Sequence, residues 1–282
     1  MAGCDAAVED SEGGCVKKGC VLNLMSVLQE IYQYREMLRS LIHRDLRGRY
    51  KGSVLGFLWT FINPLLQLAV YTLVFSNIMR MGIKDYYLFL FVALIPWMFC
   101  ATSIVGGATC ILANQSLVTK IYFPREVLPI AVVTSNFINM FYCFVVVLSV
   151  VLLCSDNINL FSWIYLPVIA FVEYILVLGL VMIFSALTVY VRDLEHILGI
   201  VTMAWQFLSP VMYGVDMVPK EYLYIFNLNP MTPVIVAYRD ILYYGRIPEI
   251  DTLAQALGFG LLFCILGFFV FGKLKRRFAE EL

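Results

Sequence analysis

The side chain in this sequence with the clearest capacity for chemistry is Glu173, because it lies well inside a long apolar run. A carboxylate in such a run is costly to bury in a membrane and is by default a candidate functional group. Three roles are open to it: a proton relay, a hydrogen bond to a neighbouring helix, or a group within reach of the membrane interface. The long apolar runs contain no lysine, arginine or histidine that could pair with it.

Motifs for catalysis or nucleotide binding are absent from the sequence. There is no G-x-x-x-x-G-K-[ST] phosphate loop, which excludes ATP binding of that type, and no G-x-S-x-G, H-E-x-x-H or D-x-D. His43 and His196 flank the predicted membrane surface, so neither offers the buried general base that an acyltransferase needs. We therefore predict that the chain is not an enzyme and holds no cofactor or metal.

The first apolar run carries polar and aromatic side chains that suit the wall of a conduit. An Asn-Pro pair at 63–64 frees a backbone carbonyl and bends a helix, and a small-residue start at Gly52 and Gly56 favours close helix packing. Aromatic side chains combine an apolar body with polar tips and so suit amphipathic ligands such as sugars. Ordinary helix packing is the alternative. The candidate channel residues are Trp59, Asn63, Gln67, Tyr71 and Phe75.

A basic segment precedes that run. Residues 26–51 have a helical period, with apolar residues near one face and basic residues every four positions on another. Such a helix lies in the membrane interface. It is either a generic anchor or a collar for a phosphorylated lipid, since the arginine fork pairs bidentately with phosphate. The candidate collar residues are Arg44, Arg47, Arg49 and Lys51.

The composition identifies the elements that must position these residues. Of 282 residues, 61% are hydrophobic and 14% are charged, against about 25% charged in soluble domains, which predicts an all-α membrane protein. A span needs about 20 apolar residues. Six runs qualify: 54–79, 86–110, 128–154, 161–190, 197–215 and 252–272. A seventh, 222–238, contains Pro230 and Pro233 and is predicted to form short helices that enter the membrane from one side.

The positions of the basic residues predict the orientation. Fifteen lysines and arginines lie on the side of both termini and five on the other, which places both termini in the cytoplasm. Residues 1–20 are polar, small and acidic, with no apolar central region, so residues 1–25 are predicted to be a disordered cytoplasmic tail rather than a signal peptide. Residues 52–275 would form the transmembrane domain and 276–282 a second tail. The zero net charge suggests no nucleic-acid partner.

Several segments, in order from about residue 30 to residue 275, resemble type-2 ABC exporter permeases. The most similar group exports O-antigen, capsule and teichoic-acid polysaccharides. The segments that carry the resemblance are 44–59, 63–64, 71–76, 117–129, 192–194, 208–213, 229–233 and 238–240.

The resemblance implies a homodimer around a conduit in the bacterial cytoplasmic (inner) membrane, flanked by two copies of a P-loop ATPase that holds the ATP and magnesium. It implies a lipid-linked polysaccharide as substrate, carried on undecaprenyl pyrophosphate or on a phosphatidyl lipid. It also implies that two cytoplasmic loops contact the ATPase, through Lys120, Tyr122, Arg125, Glu126, Arg192, Asp193 and Glu195.

Three other functions stay open. One is a stand-alone ion-coupled transporter that uses Glu173, although the runs lack a clear inverted repeat. Another is a type-2 permease for a small lipid or a drug. The third is a membrane-embedded glycosyl- or acyltransferase, against which the absent motifs argue.

Overall fold

A computed structural model describes residues 29–49, 52–154 and 159–281, and within them every regular element is helical. The predictions for the tail at 1–25 and for Lys51 lie outside these residues. Among the described helices, five are long and apolar enough to cross a membrane. The predicted all-α membrane fold is therefore confirmed, whereas the predicted count of six spans is not.

The helices are numbered in chain order. They are α1 (Arg35–Gly48), α2 (Trp59–Thr72), α3 (Tyr86–Ala108), α4 (Cys110–Ala113), α5 (Gln115–Lys120), α6 (Val127–Cys154), α7 (Leu166–Tyr190), α8 (Leu194–Leu208), α9 (Leu223–Leu228), α10 (Met231–Leu242), α11 (Ile250–Leu274) and α12 (Phe278–Glu281). A short 3₁₀ turn, Gly56–Leu58, leads into α2, and a π-helical turn, Leu73–Ile78, ends it. We call the end of the bundle where α6 begins and α11 ends the basal end.

The fifth predicted span differs most from the structure. Residues 197–215 were expected to form one span, but α8 ends at Leu208 and has 15 residues, a length of about 22 Å against a hydrocarbon core of about 30 Å. The cause is Pro210, because a proline disfavours helical backbone in the residue before it, and Ser209 is extended with φ −107° and ψ 146°. The chain then turns back towards α9 and α10.

The proline-containing stretch 222–238 forms two short helices, α9 and α10, as the sequence predicts. Pro230 lies immediately before the first residue of α10, where its missing N–H costs no helical hydrogen bond. Helix α10 is almost wholly buried and packs against α3, α7 and α11. It is therefore part of the core of the bundle.

The amphipathic segment packs on protein. Helix α1 lies against α6, and Leu41 on its apolar face is buried there. The sequence reading of Gly52 and Gly56 as a helix-packing start is wrong. Both have positive φ, 85° and 48°, with no atom within 4 Å of an added β-carbon, so they serve the turn between α1 and α2.

Helix α3 is the centre of the bundle, surrounded by α2, α6, α7, α8 and α10. The most extensive helix pair is α7 with α11. Gly179 and Gly267 face each other there and let the two backbones touch. Small residues are the usual solution for membrane helices, because packing rather than hydrophobic burial drives their association.

Candidate functional site

A polar cleft lies between α2, α3 and α6, and the residues of α3 and α6 that line it come from the middle of each helix. Its volume is about 440 Å³, which is within the range of small-molecule sites, ~300–1,000 Å³. Its polar and aromatic lining includes Arg49, Trp59, Asn63, Thr102, Asn136 and Asn139. Hydroxyl and amide groups on an otherwise apolar wall suit a ligand with many hydroxyl groups.

The five predicted channel residues lie in three different environments. Trp59 and Asn63 line the cleft, and the indole N–H of Trp59 donates to the Ser53 hydroxyl at 3.1 Å. Tyr71, near the end of α2, and Phe75, in the π-helical turn that follows, form an edge-to-face pair with ring centroids 6.5 Å apart. Phe75 then packs against Tyr86 at the start of α3. Gln67 is exposed on the open face of α2.

Two asparagines of α6, which were not among the predicted channel residues, also line the cleft. Asn136 and Asn139 are one turn apart, so both face α2 and α3. Asn136 is 3% exposed, and neither its amide oxygen nor its amide nitrogen has a partner among the described residues. A buried amide without partners is costly. The sequence did contain a signal for these cleft residues, because asparagine is unusual inside an apolar run such as 128–154.

The candidate lipid-phosphate collar is partly occupied by internal contacts. Arg44 donates to the side-chain oxygen of Asn114 at 2.6 Å, and Arg49 forms an ion pair with Asp45 at 2.9 Å. Arg47 is exposed, and its side chain makes no hydrogen bond or ion pair to the described part of the chain. These contacts leave Arg47 as the most available cation of the described collar.

We call residues 120–126, which connect α5 to α6, the first basal loop, and its four predicted ATPase-contacting residues differ in exposure. Tyr122 is 89% exposed, and Lys120 beside it is exposed as well. Glu126 is 2% exposed and forms an ion pair with Lys275, so it faces the protein interior. Arg125 is half-buried and donates to the backbone carbonyl of Lys275. Direct contact with another subunit is therefore open to Lys120 and Tyr122 but not to Glu126.

The second basal loop comprises residues 190–195, from the last residue of α7 to the first turn of α8. Its three predicted contact residues, Arg192, Asp193 and Glu195, are all exposed. Asp193 and Glu195 lie at the amino end of α8, where negative side chains stabilise the helix dipole. The two loops together give the basal end two exposed, charged segments.

Glu173 is wholly buried, and its partner is a tyrosine. The hydroxyl of Tyr238 on α10 donates to one carboxylate oxygen at 2.8 Å, and the other oxygen has no partner among the described residues. The sequence did not indicate this contact, because a tyrosine in an apolar stretch is typical of the membrane interface. The geometry matches the second of the three predicted roles, a hydrogen bond to a neighbouring helix.

Arg239 connects three elements at the end of the bundle opposite the basal end. The sequence did not indicate this role. Its side chain is 3% exposed and donates to the backbone carbonyls of Val211 at 2.7 Å and Tyr213 at 3.0 Å. Its guanidinium carbon lies 3.7 Å from the ring centroid of Phe89. The planar fork thus binds the turn after α8 to α10 and α3.

The side chain of Asn229 makes a second connection in this region. Its oxygen accepts from the Trp205 indole at 3.0 Å, and its nitrogen donates to the Ser209 hydroxyl at 2.8 Å. Together with Arg239, it fixes the broken stretch around Pro210 against the core. The side chains of Asn229 and Arg239 thus hold the backbone in place just after α8 ends at Leu208.

The chain matches the family described as ABC-2 type transporter over residues 36–243. It is 35% identical to the O-antigen export system permease protein RfbA of Myxococcus xanthus, over 92% of this chain and 100% of that relative. A protein of the same description from Klebsiella pneumoniae is 33% identical, over 88% of this chain and 95% of the relative. The polysialic acid transport protein KpsM of Escherichia coli is 23% identical, over 82% and 90%. This multi-pass membrane protein therefore belongs to the ABC-2 type transporter family.

Proposed function

We propose that the chain is the permease subunit of an ATP-driven exporter that moves a lipid-linked polysaccharide, O-antigen-like, outward across the bacterial inner membrane. The observation that carries the proposal is the identity with RfbA of Myxococcus xanthus, 35% over all of that relative and 92% of this chain. The polar cleft supports the proposal, because amide, hydroxyl and aromatic groups on one wall suit sugar units.

ATP hydrolysis would take place on a separate P-loop ATPase, bound in two copies. The sequence contains no phosphate loop of its own. The exposed residues of the two basal loops supply a contact surface for such a partner: Lys120, Tyr122, Arg192, Asp193 and Glu195. In this arrangement the basal end faces the cytoplasm, in agreement with the excess of basic residues on that side.

The permease would act as a homodimer, with the conduit between the two copies. The short helix α8 supports this, because its outward side carries the exposed apolar residues Ile197, Ile200 and Met203. A helix of about 22 Å cannot cross a core of about 30 Å alone, so lipid is a poor neighbour for its ends. The apolar residues of a second copy would cover both the helix and the turn at Pro210.

Within the dimer, Trp59 and Asn63 of the cleft, with Gln67, Tyr71 and Phe75 further along α2, would contact the polysaccharide. The exposed Arg47 and the neighbouring Arg44, Arg49 and Lys51 would meet the phosphate of the lipid carrier at the cytoplasmic surface. Amides and aromatic faces bind sugars without great affinity for any one of them. A conduit for a long polymer needs this property, because each unit must leave as easily as it enters.

Two experiments test the proposal. Affinity purification of the natively expressed chain should recover a P-loop ATPase in equal amount, and deletion of the gene should leave lipid-linked polysaccharide inside the cell. Complementation with wild type should return the polysaccharide to the surface, whereas Trp59→Ala should return less of it. Trp163→Ala, a change of the same kind outside the cleft, is the matched control. Full export by a purified chain without any ATPase would refute the proposal.

A further inference from the structure

The carboxyl end of α11 binds both basal loops. The last carbonyls of a helix lack partners within it and are open to side-chain donors. The hydroxyl of Tyr190, the last residue of α7, donates to the Leu274 carbonyl at 2.9 Å. The guanidinium of Arg125, in the first basal loop, donates to the Lys275 carbonyl. One helix end therefore holds the first basal loop, which precedes α6, and the last residue of α7.

An ion pair and an aromatic contact reinforce this junction. The ammonium of Lys275 binds the carboxylate of Glu126, whose side chain is almost completely buried. Phe278, directly after the 3₁₀ turn Lys275–Arg277, is wholly buried. Its ring lies 5.6 Å from that of Phe271 and 6.3 Å from that of Tyr190, between centroids. The Arg125 guanidinium carbon lies 5.7 Å from its centroid.

The residues next to this junction in sequence point away from it. In the first loop Tyr122 is exposed and lies four residues before Glu126. In the second loop Arg192 is exposed and lies two residues after Tyr190. Each loop thus has an inner residue attached to α11 and an outer residue free to meet a partner. Both inner residues contact the same helix end.

We propose that Lys275 and Phe278 are positioning residues that make the two basal loops and the last long helix move as one unit. Without the ion pair, Glu126 would carry a buried, uncompensated charge, and the first loop would detach from α11. The consequence for transport rests on the proposed function, in which the loops receive the ATPase. The mechanical link itself does not depend on that partner.

The first test uses the purified full-length permease alone. Hydrogen exchange of the backbone amides at 121–123, 125–126 and 191–193 should be about tenfold faster in Lys275→Met than in wild type, because local opening becomes easier. The matched control is Arg276→Met, the same type of change at the exposed neighbouring residue. Unchanged exchange in Lys275→Met, or an equal rise in the control, would overturn the proposal. If Lys275→Met cannot be purified, Phe278→Leu is measured in its place with the same criteria.

The second test uses the permease purified with its ATPase. In Lys275→Met the amount of polysaccharide exported per ATP hydrolysed should fall about fivefold while the amount of bound ATPase stays the same, since docking uses outer residues. The double variant Glu126→Lys with Lys275→Glu should recover a large part of the loss. A loss of bound ATPase equal to the loss of export would contradict the positioning role. Absence of any ATPase from wild type would refute the proposed function and leave the exchange test to decide the link.

Discussion

The contact between α7 and α11 leads to a quantitative prediction about Gly267. A β-carbon at Gly267 would lie 3.0 Å from the Cα of Gly179 and closer still to its carbonyl oxygen. Carbon atoms pack best at about 3.5–4.0 Å, so Gly267→Ala must separate the helices by about 0.5 Å or more. Backbone atoms cannot rotate away as a side chain can. We expect a loss of about 1–3 kcal/mol in the free energy of unfolding, the usual range for overpacking.

The same helix supplies the control. Gly258 of α11 has no atom within 4 Å of an added β-carbon, so Gly258→Ala introduces no clash. Alanine is favoured over glycine in a helix by about 0.5–1 kcal/mol. The control variant should therefore be as stable as wild type or slightly more stable, although both changes add one methyl group to one helix.

The assay is unfolding of each purified variant in the same detergent, by heat and by a denaturing detergent, followed by tryptophan fluorescence and circular dichroism. The reasoning predicts an earlier transition for Gly267→Ala and an unchanged or later one for Gly258→Ala. A Gly267→Ala protein as stable as wild type would mean that the two helices are not in backbone contact. Equal destabilisation by both changes would mean that glycine is needed in α11 for another reason.

Two further predictions concern the buried polar groups. Tyr238→Phe should lower the free energy of unfolding by about 1–3 kcal/mol, because Glu173 loses its hydrogen-bond donor. The control, Tyr224→Phe, changes an exposed tyrosine and should have little effect. An equal effect at both tyrosines would contradict the role of the hydrogen bond. Arg239→Lys keeps the charge but loses the two hydrogen bonds to backbone carbonyls and the contact with the Phe89 ring. Thermal unfolding should therefore report a free energy of unfolding lower by about 2 kcal/mol. Retention of full stability would show that the positive charge alone is sufficient.

The sequence predicted the long helices well where an apolar run has no interruption. Residues 128–154 were expected in one span and α6 covers Val127–Cys154, and residues 252–272 correspond to α11 at Ile250–Leu274. The reason is that a chain in hydrocarbon must satisfy its backbone polar groups within the helix. The length of an apolar run thus determines the length of the helix. The same reasoning gave too long a span around Pro210, where the local effect of proline outweighed hydrophobicity.

The candidate cleft could be predicted only in part. Trp59 and Asn63 were selected from the first run because their residue types are unusual there, and both line the cleft. Tyr71 and Phe75 were selected for the same reason but pack towards the start of α3. Asn136 was not selected. Residue type identifies candidates, but which face of a helix meets which neighbour depends on packing angles that a single sequence does not contain.

The sequence by itself determined the membrane class, the long helices, the missing phosphate loop and the resemblance to polysaccharide exporters, because these depend on composition and local order. Only the tertiary structure decided the partners of the buried charges. Glu173 meets Tyr238, 65 residues away, and Lys275 meets Glu126, 149 residues away. Such pairs depend on how helices far apart in the chain cross, and a buried charge is stable only where that crossing supplies a partner.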